Sequence, residues 1–180
     1  MGRSSTHTIS ILLFTICSFA VSNIYAKDTH FVIGVESQPY PPYYYISDGE
    51  YQGFARELLD AFATVEGLTF EYKPYTIVEL FKALKKNSID LKFPDNPYWQ
   101  YKLKAGLRVD YSAPVTTYVD GSLVLDKNKD KGLSMVKNLG IIQGFTPLEY
   151  QHLVQYGHVN FVEKNNLEEL IQLLTVGSVD

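Results

Sequence analysis

Strand-like and helix-like segments alternate between residues 31 and 93, and this order restricts the possible folds more than any other feature of the sequence. The run 31–36 is rich in apolar and β-branched residues, which favours a buried strand. Residues 69–73 alternate as a strand does, and residues 89–93 are predicted to form the next strand. The segments between them repeat apolar residues at helical spacing. Because strands that alternate with helices usually form a parallel sheet with helices on its faces, the order predicts an α/β fold.

Both helices in this part carry boundary signals. The first is predicted over residues 54–65 and ends at Gly67, which can adopt the left-handed conformation of a C-terminal cap. The second begins at Thr76 and Glu79, the pattern of a capping box in which each side chain accepts a backbone N–H. Four apolar residues of the second helix share one face, which we expect to be buried: Ile77, Leu80, Phe81 and Leu84.

Two loops rich in aromatic residues follow predicted strands, and ligands of parallel sheets bind at the carboxyl ends of the strands. Segment 37–45 contains three prolines, which favour an extended path on which Tyr40 and Tyr43 can form a stacking wall. The alternative is that Tyr44 and Tyr45 only point to opposite faces of the strand that follows. Segment 91–102 combines a carboxylate, an amide, aromatic rings and an amine, as binding loops do. The alternative there is a surface loop whose tyrosines pack locally.

The second half of the chain begins after the charged stretch 126–132. A strand is predicted at 139–143, and Thr146 can then cap a helix whose first residue is Pro147, with Glu149 as capping-box partner. A glycine turn before a helix N-terminus is suited to an anion or a dipole. The alternative is a helix that is well capped and has no ligand. A further strand is predicted at 160–163, and a last helix follows it.

The N-terminus has the pattern of a secretory signal peptide over residues 1–26, with Arg3, an apolar core and a terminal Ala26. An uncleaved anchor is the alternative. The only cysteine, Cys17, lies within this segment, so the mature chain is expected to have no disulfide and no thiol chemistry. The chain is mildly acidic, with a formal net charge of −4, and nothing in it resembles a basic nucleic-acid footprint.

The order of these elements resembles a known family. The opening strand with its aromatic and proline segment, the Gly53-Phe54 step into a helix, residues 110–114 and residues 140–144 together resemble the extracellular solute-binding proteins, family 3. The resemblance covers nearly all of residues 30–180. Members are periplasmic receptors of polar amino-acid uptake transporters.

The resemblance implies a two-lobed, periplasmic-binding-protein-like α/β fold of type II. Lobe one would span residues 27–120, a hinge crossover residues 121–126, and lobe two residues 127–180. Members normally continue beyond the equivalent point, so we expect a truncated second lobe. The implied partners are a small polar solute and the membrane permease of an ABC transporter, or a sensor protein. The expected location is the periplasm, and the expected state is a monomer.

The two loops, the second-half turn and the resemblance give one expected set of ligand-binding residues. Its members are Tyr40, Tyr43, Tyr75, Asp95, Asn96, Tyr98, Trp99, Lys102, Gln143 and Thr146. The family usually has an arginine near Lys102 that holds the ligand carboxylate, and lysine does not reproduce its bidentate geometry. Asp95 would instead suit a ligand amine, and Trp99 an aromatic, sugar-like or cationic face.

Three other functions are compatible with the same residues. The first is a periplasmic sensor-input domain. The second is a dehydratase-like enzyme on the same fold, with Asp95 and Lys102 as its acid–base pair. The third is a remnant that binds nothing. The receptor is the main prediction, and with it we expect no catalytic residue, no metal and no cofactor.

Overall fold

The computed structural model describes residues 29–180. The predicted signal peptide therefore lies outside the described residues. Among the residues that are described, no helix has both the length and the apolar character needed to cross a membrane. The described chain forms two separate parallel sheets joined by a segment with little regular structure.

The first sheet has three parallel strands, and the first of them along the chain lies between the other two. They are β1 (His30–Glu36), β4 (Thr69–Tyr75) and β5 (Leu91–Phe93). This arrangement confirms the parallel α/β sheet expected from the alternation of elements. We call the part of the chain from β1 to residue 104 the first unit.

Four further elements complete the connections between these strands. A short antiparallel hairpin follows β1, and one helix crosses from each strand to the next. These elements are β2 (Tyr45–Ser47), β3 (Glu50–Gln52), α1 (Phe54–Glu66) and α2 (Ile77–Lys85). Gly67 caps α1 in the left-handed conformation, as predicted.

The core of the first unit lies on both faces of β1. Ile33 and Val35 are almost completely buried on one face, with Tyr51 and Ala55. On the other face Leu80 packs with Ala83 and Ile89. Gly34 belongs to this second face, since a Cβ atom there would lie only 2.5 Å from Ile89 Cδ1. The absence of a side chain at this position therefore lets α2 and residue 89 approach the sheet.

The predicted capping box of α2 is present. The backbone N–H of Glu79 donates to Thr76 Oγ1 at 3.3 Å, and the backbone N–H of Thr76 donates to the Glu79 carboxylate at 3.2 Å. The Thr76 hydroxyl also donates to this carboxylate, at 2.8 Å. These bonds lower the pKa of Glu79. They fix the start of α2 directly after the carboxyl end of β4.

Replacing Thr76 with alanine should lower the free energy of unfolding by about 1 kcal/mol, because the first turn of α2 loses its side-chain acceptor. Urea denaturation followed by circular dichroism would measure the difference. Thr76→Ser is the matched control, since serine keeps the oxygen. Equal stability of the alanine and serine variants would contradict the role assigned to the cap.

The second unit, residues 138–180, contains the second sheet. Its two strands are parallel, and one helix packs against them. The elements are β6 (Asn138–Ile142), β7 (Asn160–Lys164) and α5 (Leu167–Thr175). Asp180 closes this unit on β6, because its carboxylate accepts the backbone N–H groups of Lys137 and Asn138, each at 2.8 Å.

The prediction of a helix that begins after Thr146 is wrong in the bounds of the helix and in its cap. Pro147 has an extended ψ of 94°, so a 3-10 turn begins only at Leu148–Tyr150. It leads into a five-residue helix, α4 (Gln151–Gln155), which has no side-chain cap. Thr146 is not a cap because its oxygen accepts a hydrogen bond from the first unit instead. A helix N-terminus is therefore not present at Thr146, and the binding role of this turn stays a prediction.

The connection between the units is irregular. After the short helix α3 (Tyr101–Lys104), residues 107–125 contain no helix or strand, and a 3-10 turn follows at Asp126–Asn128. The predicted crossover 121–126 does not form a strand, and no other described segment pairs with it in a sheet. The lobe boundaries at residues 120 and 127 stay predictions.

Candidate functional site

The carboxyl ends of the three strands of the first sheet meet at one edge. Glu36 lies opposite Tyr75 in the register of β1 and β4, and Val35 lies opposite Phe93 of β5. The loops after β1 and β5 therefore leave the sheet side by side. This edge is the candidate site, since ligands of parallel sheets bind there.

The loop after β1 presents a pair of stacked rings. The rings of Tyr40 and Tyr43 lie 5.3 Å apart between centroids at an interplanar angle of 17°. They are 55% and 46% exposed. Such exposed stacking leaves ring surface available to a ligand. Tyr44 turns inward instead, and its hydroxyl donates to the Glu36 carboxylate at 2.9 Å.

The loop after β5 is fastened to the sheet by a buried ion network around Asp95. One carboxylate oxygen lies 3.4 Å from Lys92 Nζ and the other lies 3.3 Å from Lys104 Nζ. The Tyr111 hydroxyl donates to Asp95 at 2.9 Å. The side chains of the three charged residues are only 3–8% exposed. Two ammonium groups thus already neutralise the carboxylate that the sequence suggested for a ligand amine.

Backbone carbonyls and an aromatic ring complete the network. Lys92 also donates to the Pro94 carbonyl, and Lys104 donates to the Asn96 carbonyl at 2.7 Å. The Phe81 ring centroid lies 4.6 Å from Lys92 Nζ and 5.7 Å from Lys104 Nζ, within the range of cation–π attraction. The network therefore holds loop 94–104 against both β5 and α2.

Burial shifts the ionisation of two groups below this loop. It lowers the pKa of Lys92, and the neighbouring carboxylates of Asp95 and Glu36 oppose the shift. Burial also raises the pKa of Glu36, and the charge of Lys92 opposes this shift. The Lys92 ammonium is therefore stabilised by Asp95 and Glu36. The Glu36 carboxylate is stabilised by Lys92 and by the hydrogen bond from Tyr44, whereas the charge of Asp95 acts against it.

The sequence interpretation did not assign roles to Glu36, Lys92, Lys104 or Tyr111. One signal was available for Lys92, which interrupts the apolar run 89–93. A lysine in a buried strand requires a charged partner, and Asp95 is three residues away. Sequence spacing gave no comparable signal for Lys104, because α3 has only four residues and its buried face cannot be inferred.

Trp99 packs inside the site rather than at its surface. Its ring lies 5.5 Å from that of Tyr118 at 56°, and Lys92 Nζ lies 5.9 Å from the ring centre. The indole N–H is buried and forms no hydrogen bond of normal geometry with any of residues 29–180. It does act on the Tyr118 hydroxyl, where it opposes the rise in the pKa of Tyr118 caused by burial and by Asp120.

The remaining residues of the predicted set have different surroundings. The Asn96 side chain accepts the backbone N–H of Tyr98 at 3.0 Å, which forms a local turn. Tyr98 is 70% exposed, and Lys102 is also exposed, with its amine 6.0 Å from the Tyr101 ring centre. Tyr75 is half-buried against the Leu80 cluster, and Gln143 is exposed on the second unit.

The second unit touches this loop directly. The Gln100 side-chain amide donates to the Gly144 carbonyl at 2.6 Å, and the Gln100 backbone N–H donates to Thr146 Oγ1 at 3.1 Å. The structure therefore joins Thr146 to the loop that contains Asp95 and Trp99. Within residues 29–180, no hydrogen bond, ion pair or ring contact links Tyr40 or Tyr43 to that loop.

The arrangement offers binding groups and no evident metal centre. No cluster of three or more metal-ligating side chains occurs in the described part of the chain. The proposed enzymatic pair of Asp95 and Lys102 is not formed, since Asp95 is paired with Lys92 and Lys104. Two α/β units that meet at the carboxyl edge of a parallel sheet define the class of two-lobed binding proteins, with the first and second units as the lobes.

The sequence profile of the bacterial extracellular solute-binding proteins, family 3, matches residues 31–176. The chain therefore belongs to this family, which confirms the resemblance on which the fold was predicted. No curated protein matches the chain significantly.

Solved structures show the same fold. A periplasmic binding protein of an arginine transport system from Legionella pneumophila is 22% identical with a TM-score of 0.60, over 84% of this chain and 66% of that one. An ancestral amino-acid-binding protein, a precursor of cyclohexadienyl dehydratase, is 22% identical with a TM-score of 0.65, over 84% and 68%. A histidine kinase sensor domain is 21% identical with a TM-score of 0.56, over 86% and 68%. This chain thus spans about two thirds of the length of the proteins it matches.

Proposed function

We propose that this protein is a periplasmic receptor that captures a small polar solute between its two units and delivers it to an ABC-type uptake transporter. The solute would be an amino acid or a related amine or acid. The observation that carries the proposal is the exposed Tyr40–Tyr43 stack at the carboxyl edge of the first sheet. The proteins with this fold described above include receptors for arginine and other amino acids, which supports the same class of solute.

The charges of the site restrict how the solute would be recognised. Asp95 is already paired with two lysines, so a solute amine would lie against aromatic faces rather than against this carboxylate. Asn96 and Gln143 would supply neutral polar contacts. Lys102, which by resemblance lies near the position of the usual arginine, would offset a solute carboxylate without bidentate geometry.

A thermal-shift screen of the full chain against amino acids, polyamines, small acids and sugars tests the proposal. A compound that binds only the native state stabilises it by about 2.7 kcal/mol at one hundred times its Kd. A dose-dependent rise of the melting temperature with at least one compound is expected. If no member of the panel shifts the transition, the receptor function is contradicted for these solute classes.

For a compound that binds, Tyr43→Ala should raise the Kd by about tenfold, since one ring of the stack supplies roughly 0.5–2 kcal/mol of attraction. The melting temperature without solute should hardly change, because Tyr43 is half exposed. Isothermal titration calorimetry would measure the affinity. Tyr156→Ala is the matched control, since this tyrosine is 71% exposed on the second unit, away from the stack. Equal Kd values for both variants would count against the tyrosine wall.

A sensor-input domain is the second candidate, and the similarity to a histidine kinase sensor domain favours it. Deletion of the gene distinguishes the two. Loss of uptake of the radiolabelled solute would support the transport receptor. Normal uptake together with loss of a solute-dependent transcriptional response would support the sensor.

A further inference from the structure

The closure contact, which we define as Gln100, Gly144 and Thr146, joins the two units at the candidate site. Gln100 donates two hydrogen bonds to the second unit. Its side-chain amide donates to the Gly144 carbonyl at 2.6 Å, and its backbone N–H donates to Thr146 Oγ1 at 3.1 Å. Two hydrogen bonds from one residue restrain both the distance and the orientation of the second unit.

The closure contact is tightly packed. Thr146 is only 7% exposed. Gly144 has φ +84°, and a Cβ atom there would lie 3.0 Å from Val78 Cγ2 and 3.1 Å from Ile77 Cγ2. The turn of the second unit therefore lies directly on the start of α2. Water is largely excluded around Thr146, so the hydrogen bonds are not easily exchanged for hydration.

The backbone of Gln100 is held in an uncommon conformation. Its φ of 44° lies in the left-handed region, which residues other than glycine seldom adopt. Such conformations persist when surrounding contacts determine them, and they concentrate at functional positions. Within the first unit, the Asp95 network holds the loop that contains Gln100, through Lys92 and Lys104. On the other side are the two hydrogen bonds to the second unit.

We propose that Gln100 is a positioning residue that stabilises the arrangement in which the two units are in contact at the candidate site, which we call the closed arrangement. The inference deepens the proposed receptor function, on which its consequence for solute affinity rests. Contacts made only in the closed arrangement raise its population, and the apparent affinity of a solute rises with the population that can bind it. Gln100 thus raises the population of the closed arrangement even when no solute is bound.

The test measures the distance between the units without any solute. Spin labels are placed at Glu57→Cys and Glu168→Cys, two exposed helix positions, in a full chain in which Cys17, the only cysteine, is replaced by serine. Double electron–electron resonance then gives the distance distribution. Gln100→Glu cannot donate from its side chain to Gly144, and Thr146→Val removes the acceptor. Each variant should increase the ratio of long to short distances by about fivefold to tenfold, the effect of losing one hydrogen bond.

Two controls separate closure from general damage. Thr146→Ser keeps the acceptor and should restore the original distribution. Gln172→Glu makes the same chemical change on the exposed surface of the second unit, and should leave the distribution unchanged. Unchanged distances in both Gln100→Glu and Thr146→Val would overturn the inference.

The outcome is independent of whether a solute is found. Longer distances in a protein that no panel compound stabilises would support the closure role and contradict the receptor function. Solute binding combined with unchanged distances would support the receptor and overturn the closure role. If both hold, Gln100→Glu should raise the Kd of the bound compound by a factor similar to its effect on the distance ratio.

Discussion

Replacing Asp95 with alanine is expected to lower the free energy of unfolding by about 3–5 kcal/mol, the range for breaking a buried ion pair by removing one partner. The loss should be large because two ammonium groups depend on this carboxylate. Lys92 and Lys104 have side chains only 3% and 8% exposed, so neither can turn to water without moving the loop. Burial already lowers the pKa of Lys92, and removal of Asp95 should lower it further. Urea denaturation at pH 7 would measure the change.

Asp110→Ala is the matched control for this measurement. Asp110 is also an aspartate near a cation, with its carboxylate 3.8 Å from Arg108, but both side chains are about 90% exposed. Exposed ion pairs contribute about 0–1 kcal/mol, so this variant should be nearly as stable as the original protein. If Asp95→Ala were no more destabilising than Asp110→Ala, the buried network would not be what holds the loop.

Replacing Leu80 with alanine should cost about 3–5 kcal/mol, since the lost transfer free energy of a buried leucine is added to the cost of the cavity. Leu80 is fully buried between α2 and β1. Its Cδ2 lies 3.0 Å from the position that a Cβ atom of Gly34 would occupy, which shows how closely helix and sheet approach. The fixed backbone on both sides limits the collapse of the cavity. Thermal unfolding by calorimetry would measure the loss.

The matched control is Leu123→Ala, because Leu123 is 66% exposed in the irregular connection between the units. Its replacement should change the free energy of unfolding by less than about 0.5 kcal/mol. A small effect at Leu80 would mean that the core of the first unit can repack around α2. Loop 94–104 would then rest on a less rigid base, because Phe81 of the same helix lies beneath Lys92 and Lys104, which hold this loop.

Local signals predicted the elements of the first unit well. The apolar face that includes Leu80, the capping box at Thr76 and the cap at Gly67 are each encoded within a few residues, and the structure contains all three. The same kind of signal failed at Thr146, where a threonine followed by proline has the pattern of a helix start. There a hydrogen bond from Gln100, which is 46 residues away, uses the oxygen that a cap would need.

The site itself was predictable only in outline. The position of the two loops at one edge follows from the parallel order of the strands, which the sequence pattern indicates. The partners of Asp95 do not follow from it. The sequence presents Asp95 as a free carboxylate in a loop, whereas the folded chain surrounds it with Lys92, Lys104 and Tyr111.

By itself the sequence determined the two long helices of the first unit, the parallel sheet and the edge at which a solute would bind. These features depend on periodicity and on contacts between near neighbours, which a linear pattern records. Only the tertiary structure decided which charges of the site are already paired and which residue connects the two units. Such pairings depend on residues that are distant along the chain and on how deeply each is buried, because burial determines whether a charge needs a protein partner or is satisfied by water.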